Sequence, residues 1–309
     1  MLDTEIVIIG AAIIDVLVCP VSEAVFRTGS YAAEDIRMSP GADALNEATI
    51  LARMGKKIWL ETVVGDDKAG RYLMEHCREN GIGMAADCVK GGLATGINVV
   101  LVDEAGRRNF LTKPKGSLRS LCLEDIHMPF PESVDIICFA SIFVFPKMKT
   151  KELEIIFSQV KKQNKILCAD MTKCKNRETV EEMAPALQYV DYLLPNDEEA
   201  RLLTRTETVE EAAEELCSVG VTNVVIKCGK KGCYVRSRRD KIRMWIPAVS
   251  GVRCVDTTGA GDSFVAGFIY ALSEGKDIRE CAEYANLCGS KAVQVVGASE
   301  WMPERGIMI

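Results

Sequence analysis

Along the chain, short apolar runs alternate with stretches of helical period. "EIVIIGAAIIDVLV" (5–18) is aliphatic at most positions, the pattern of a strand buried on both faces, and predicts one strand running on past Asp15. "ADALNEATILARMG" (42–55) takes a 3.6-residue period and predicts a helix stopped by Gly55. "KIWLETVVG" then predicts a strand and "KAGRYLMEHCRENG" a helix ended by Gly81. The same alternation places strands at 134–141, 166–171, 189–194, 222–227 and 251–255. It places helices at 150–164, 178–188, 197–204, 208–219, 262–274 and 277–295. Repeated strand–helix units predict an α/β fold, a mostly parallel sheet covered by helices on both faces.

Some segments break this rhythm. The segments 13–40 and 95–112 read as hairpins, the second turning at Asp103-Glu104-Ala105-Gly106, and are expected to form a small separate sheet, a lid. "GCYVRSRRDKIRMWIP" (232–247) is a further antiparallel piece. No repeat, low-complexity tract or linker divides the 309 residues, so a single domain over 1–309 with the lid at roughly 13–40 and 95–112 is expected.

Composition narrows the function classes. Apolar residues make up 48% and charged residues 27%, a globular composition with a sizeable core. The net charge of −6 offers no basic face to nucleic acid. Thirteen cysteines without a C-x-x-C pair argue against a disulfide scaffold or zinc ribbon; Cys138, Cys168 and Cys228 sit in apolar runs and read as buried thiols. His76 and His127 supply little for a histidine metal site or a Ser-His-Asp triad. "IVIIGAAII" is too short to span a bilayer and lacks a basic n-region, so a cytoplasmic protein without membrane contact is expected.

The stretch richest in chemistry is "VDTTGAGDSFVAGFIYAL" (255–272). Phe264, Val265, Phe268, Ile269 and Leu272 form the apolar stripe of a helix, which puts Gly259, Ala260 and Gly261 at its N-terminus. There the first backbone N–H groups lack helical partners and the helix dipole is positive, while glycine lets backbone approach a ligand closely. Together they form an anion hole suited to phosphate. Asp262 beside that hole would repel a phosphate if binding were its only purpose. It makes sense as the base that accepts a proton from an attacking hydroxyl. Its place in the first helical turn predicts a lowered pKa. The simpler role, a helix-capping acid, stays open on spacing alone. No P-loop, protein-kinase or dinucleotide fingerprint is present.

"DTTGAGDSFVAGF" closely resembles the C-terminal signature of the ribokinase-like (PfkB) sugar and nucleoside kinases. The likeness runs along nearly the whole chain. "IIGAAIIDVLV" resembles the family's first strand, "SPGADALNEATILARMG" its N-terminal signature, and "VVGDDKAGRYL" the Gly-x-Asp-x-x-Gly element. "PNDEEA" resembles the Asn-x-x-Glu motif, "KCGKKGCYV" the strand-turn-strand by the nucleotide, and "YANLCGSKAV" the segment contacting adenine. The resemblance implies a Rossmann-like three-layer αβα sandwich with a β-sheet lid. It implies a kinase that moves the γ-phosphoryl of ATP to a sugar hydroxyl with Mg²⁺. On the matching positions it implies Asp262 as base and Gly259, Ala260 and Gly261 as anion hole. Asp15, Gly41, Asp43 and Asn46 would line the sugar site. Asn196, Glu199, Lys227, Gly229, Gly232 and Asn286 would surround ATP, Glu199 reaching Mg²⁺ through water. Asp256 and Thr258 match the ligands of a K⁺ ion that some members carry. One departure stands out: the usual glycine pair is Gly41-Ala42 here, and the methyl group bears on the sugar pocket.

Asp43 suits neutral hydroxyls and opposes an existing phosphate, so a fructokinase- or ribokinase-like activity on a neutral sugar is expected. A sugar acid would need Arg37, Arg107 or Arg108 to offset Asp43. Two alternatives remain. One is a nucleoside kinase, its base slotted among Phe26, Tyr31, Phe110 and Phe143; the other is a sugar- or nucleotide-binding regulator without catalysis. Lids in this family often pair, so a homodimer through the lid is expected.

Overall fold

Alternation of side chains along each central strand sends aliphatic residues to opposite faces, where two separate apolar clusters take them up. Val7, Ile9, Ile137, Phe139, Leu167 and Ala169 enter one cluster. Their neighbours Ile6, Ile8, Ile136, Cys138 and Cys168 enter the other. The structure is a computed structural model that describes residues 3–104 and 107–303; Ala105 and Gly106, at the tip of the expected hairpin, and the side chain of Arg108 lie outside the described residues.

Among the described residues, eight strands form the large sheet. Its order from one edge is Ile58–Glu61, Ile6–Ile9, Ile136–Ile142, Ile166–Met171, Tyr192–Leu193 and Asn223–Lys227, all parallel. Cys233–Ser237 and Arg243–Ile246 add antiparallel strands at the far edge. Helices link the parallel strands, and their starts are written in the sequence. Thr179, Asn196, Thr208 and Asp277 each cap a helix and exchange hydrogen bonds with the glutamate three residues on. A second, four-stranded sheet carries Asp35–Gly41, Ile13–Cys19, Ile97–Val102 and Arg108–Thr112 in that order. It is the small lid sheet beside the carboxyl ends of the main strands.

The continuous strand expected over 5–18 is two strands in two sheets, Ile6–Ile9 and Ile13–Cys19. The chain leaves the large sheet at Gly10, where a Cβ would stand 2.6 Å from the Cβ of Ala44 on the next helix. Burial on both sides of the break hides it from the apolar pattern. The strand expected at 251–255 does not form; Arg253, Cys254 and Val255 are exposed, and the N–H of Val255 bonds the carbonyl of Val293 at 2.7 Å instead of a strand.

The helix Asp43–Arg53 begins after Ala42, which holds φ 78° and ψ 149°. That region belongs almost entirely to glycine, and a residue with a Cβ there carries about 1–3 kcal/mol of strain. Ala42→Gly is therefore expected to raise stability by about 1 kcal/mol after glycine's larger unfolded-state entropy is deducted. The denaturant midpoint of the variant checks this; an unchanged or lower midpoint would show the backbone unstrained.

Candidate active site

The helix Ala260–Ser273 starts from Gly259 in the left-handed conformation, φ 64°. A Cβ on Gly259 would also stand 2.5 Å from the Cα of Ala298, so the position needs glycine twice over. The backbone N–H groups of Gly261 and Asp262 have no partner among the described residues, the orphan donors of a helix start. Ala260 and Gly261 face a cleft of about 700 Å³ lined also by Lys227, Gly229, Gly232 and Asn286. The exposed loop 251–255 contributes Gly251, Val252 and Cys254 to its wall.

Asp262 does not cap its helix. Its Oδ2 accepts a 2.6 Å hydrogen bond from the side-chain amide of Asn46 on the neighbouring helix. Burial, and next the Asp43 carboxylate, push Asp262 up to about 7, while the Asn46 amide and Lys227 pull the other way. This reverses the lowered pKa expected from the helix start: desolvation among several acids outweighs the dipole. Glu47, fully buried on the same helix as Asn46, is pushed well up by burial and by Asp170, Asp262 and Asp43.

Lys227, at the end of its strand, pairs with buried Asp170. Burial alone would lower its pKa, but Asp170, Glu199 and Asp262 more than offset this and hold the ammonium protonated. The Asp170 carboxyl is pushed up by burial against the pull of Lys227. The Lys227 Nζ lies 3.8 Å from where a Cβ on Gly261 would be, which sets a positive charge beside the orphan N–H groups. Asn196 and Glu199 bond one another, Asn196 N–H to Glu199 Oε2 at 2.8 Å and Glu199 N–H to Asn196 Oδ1 at 2.9 Å. Burial raises the Glu199 carboxyl, against the pull of Lys227.

A second, smaller cavity of about 190 Å³ lies under the lid, lined by Ile13, Ala42, Asp43, Asn98, Arg119, Ser141, Thr172 and Lys175 among others. Asp43 accepts the Ser141 hydroxyl. Asp15 and Asn98 are register partners on adjacent lid strands, and each keeps one buried side-chain oxygen without a hydrogen-bond partner. Burial pushes Asp15 up to about 6, against the effect of the Asn98 amide. Gly41 makes room for it, since a Cβ there would fall 2.1 Å from Asp15 Oδ2. Of Asp15 and Asn98, it is Asn98 that lines the cavity, and a buried acceptor without a donor there fits a ligand that carries hydroxyls.

Other expected site residues have structural partners. Asn286 gives its amide to the carbonyls of Ile246 and Pro247 at 3.3 and 3.2 Å, fastening the last helix to the sheet edge beside the large cleft. Asp256 Oδ1 accepts the N–H and the hydroxyl of Thr258 at 2.9 and 2.8 Å, and Oδ2 accepts the Gly297 N–H at 3.0 Å. The pair thus holds the loop before the helix together; a K⁺ ion there would share oxygens with these bonds. Among the described residues no cluster of three or more His, Cys, Asp or Glu side chains could hold a metal by itself. Sequence reasoning missed Asn98, Arg119, Ser141, Thr172 and Lys175. Only Asn98, a single amide in the apolar strand "INVVLV", left a signal.

The large, mostly parallel sheet with a small lid sheet is the architecture of solved ribokinases. Ribokinase of Thermotoga maritima aligns with a TM-score of 0.80 at 27% identity, over 98% of this chain and 97% of that one. Arabidopsis thaliana ribokinase, solved with ribose and ATP, aligns with a TM-score of 0.78 at 25% identity, over 98% and 96% of the two chains. An uncharacterized sugar kinase of Archaeoglobus fulgidus is 28% identical over 82% of this chain and 98% of its own length. A 2-dehydro-3-deoxygluconokinase of Haemophilus influenzae is 26% identical over 84% and 88% of the two chains. Residues 3–305 match the pfkB family of carbohydrate kinases, and the chain belongs to that family. It is an ATP-binding sugar kinase, a phosphotransferase with an alcohol acceptor. No helix among the described residues is long and apolar enough to cross a membrane.

Proposed function

We propose that the chain moves the γ-phosphoryl group of ATP to a hydroxyl of a monosaccharide held in the 190 Å³ cavity, with Asp262 taking the hydroxyl proton. The position of Asp262 carries this reading. It adjoins Gly261, which lines the nucleotide cleft, and it feels the charge of Asp43, which lines the smaller cavity. The free N–H groups of Gly261 and Asp262 would meet the phosphoryl oxygens, and Lys227 would offset their charge. Asn46 positions the base. Bound with ATP, Mg²⁺ would supply positive charge against the phosphate oxygens. Glu199 has one oxygen tied to Asn196 and the other open among the described residues to take one of the ion's waters. Asn98 and Asp43, which line that cavity, would accept hydrogen bonds from sugar hydroxyls, and Asp15 would back the site from beside Gly41.

A nucleoside acceptor has less support. No aromatic side chain lines the small cavity, Phe26 and Phe110 are 87% and 59% exposed, and Phe143 packs against the core. Asp43 lines the cavity, which supports a neutral sugar, and Arg119 and Lys175 line it as well, which weighs the other way. Exposed apolar residues of the lid strands, Ile36, Met38, Ile97 and Leu111, support pairing of two lids into a homodimer. Sedimentation velocity reads this directly, and a monomer at micromolar concentration would refute it.

Because Asp262 must be ionised to accept the proton, activity is present above its pKa and lost as pH falls. The kcat/KM for acceptor, followed by ADP release, is expected to show a one-proton acid limb near pH 7. Asn46→Ala removes a bond that favours the carboxylate and should move the limb to higher pH. A limb at about pH 4, the ordinary aspartate range, would contradict the assignment.

A further inference from the structure

The smaller cavity carries a charge pattern that hydroxyl groups alone leave unexplained. Three charged side chains line it: Asp43, Arg119 and Lys175. Neither cation has a carboxylate within ion-pair distance among the described residues. They work against each other, since the Lys175 ammonium is held below its ordinary pKa first by burial and then by Arg119, with Asp43 and Glu178 opposing. Two like charges beside one cavity are unfavourable until an anion joins them. Asp43 offsets one of them, so two cations against one carboxylate leave a single positive charge for a ligand. Asp15 is not among the lining side chains; its carboxylate lies over Gly41.

Backbone bonds anchor the segments that carry the two cations; Arg119 is half-buried and Lys175 is exposed. Arg119 ends the short turn Ser117–Arg119. The Ser117 N–H donates to the Ala94 carbonyl at 2.9 Å, and the Gly96 N–H donates to the Ser117 hydroxyl at 2.8 Å, which ties the turn to the base of the lid. Lys175 follows the core strand Ile166–Met171, where the Thr172 N–H donates to the Ile142 carbonyl at 3.0 Å. One cation comes from the lid side and the other from the core. Neither lines the nucleotide cleft, so neither is placed to serve ATP.

We propose that the sugar phosphorylated by this chain carries a carboxylate, bound by Arg119 and Lys175, while Asp43 limits the favoured ligand charge to one. The inference rests on the kinase reading of the same cavity. A guanidinium meets a carboxylate with two parallel N–H bonds, and the lysine adds a point charge. A phosphate dianion would leave excess negative charge beside Asp43. Of the three arginines expected to offset Asp43 for such a ligand, Arg37 pairs with Asp35 at 3.3 Å and Arg107 with Asp103 at 2.7 Å, and the side chain of Arg108 lies outside the described residues.

The test compares kcat/KM with ATP for D-gluconate and 2-dehydro-3-deoxygluconate, for D-fructose and D-ribose, and for fructose 6-phosphate. The proteins are the native chain, Arg119→Gln, Arg119→Lys and Lys175→Met. The native chain is expected to favour an acid over the neutral sugars at least about tenfold. The acid-to-neutral ratio should fall about 10- to 100-fold in Arg119→Gln, mainly through KM, with part of it kept in Arg119→Lys. A native preference for neutral sugars with a ratio unmoved by Arg119→Gln would overturn the proposal, as would a preference for fructose 6-phosphate. Calorimetric binding of the same acids to Asp262→Asn separates the two readings. Arg119-dependent binding without turnover of any acceptor by the native chain would sink the kinase reading and keep the carboxylate site. Turnover with an unmoved ratio would do the reverse.

Discussion

Asp262→Asn is expected to lower kcat about a thousandfold while leaving ATP binding intact. The substitution keeps the shape of the side chain and an oxygen for the Asn46 amide to bond, and it takes away the capacity to accept a proton. The backbone donors of Gly261 and residue 262 stay in place, so the cradle survives. Removing a negative charge beside the phosphate site lessens repulsion, and the ATP dissociation constant should stay level or fall. Stopped-turnover kinetics with calorimetry of ATP binding checks both halves. A loss of ATP binding in step with kcat would point to a damaged cradle, and near-native kcat would remove Asp262 as the base.

Lys227→Met is expected to produce the largest loss of stability, about 3–5 kcal/mol at pH 8. Lys227 is the cation among Asp170, Glu199 and Asp262, and its side chain is only 13% exposed. Methionine fills much of the same volume but leaves those acids without a counter-charge. The sign of the pH dependence follows from their shifts. Their folded pKa values lie above the unfolded value, so the stability they contribute is complete below about pH 4 and is lost as pH rises through their folded values. With the ammonium gone those values rise further. The gap between variant and native denaturant midpoints should therefore be wide at pH 8 and narrow towards pH 5. A gap independent of pH would mean that lost packing, not unpaired charge, causes the instability.

Much of this arrangement is local and was legible in the sequence. The glycines before Asp262 mark a helix start with open N–H groups, and four Ser/Thr/Asn/Asp-type caps with a glutamate three residues on announce helices that form where expected. What stayed hidden depends on tertiary neighbours. The break at Gly10 leaves no trace because the residues nearest it, Ile6–Ile9 before and Ile13 and Ile14 after, are all buried. The segment 251–255 is apolar enough for a strand but finds no ladder partner and becomes a wall of the nucleotide cleft. The pKa of Asp262 is raised first by burial and then by Asp43, with Asp170 adding to it; these two acids lie 219 and 92 residues away in the chain, and a helix-dipole argument sees neither them nor the burial. Arg119 and Lys175 look like ordinary surface cations in sequence; only the fold brings them to one cavity.

The most direct test of the account follows labelled γ-phosphate from Mg-ATP, with the native chain and Asp262→Asn, in the presence of sugars and sugar acids. The account predicts that the native chain moves the label into a phosphate ester of one acceptor and that the variant does so about a thousandfold more slowly. Label appearing only as inorganic phosphate, or transferred equally well by the variant, would contradict it.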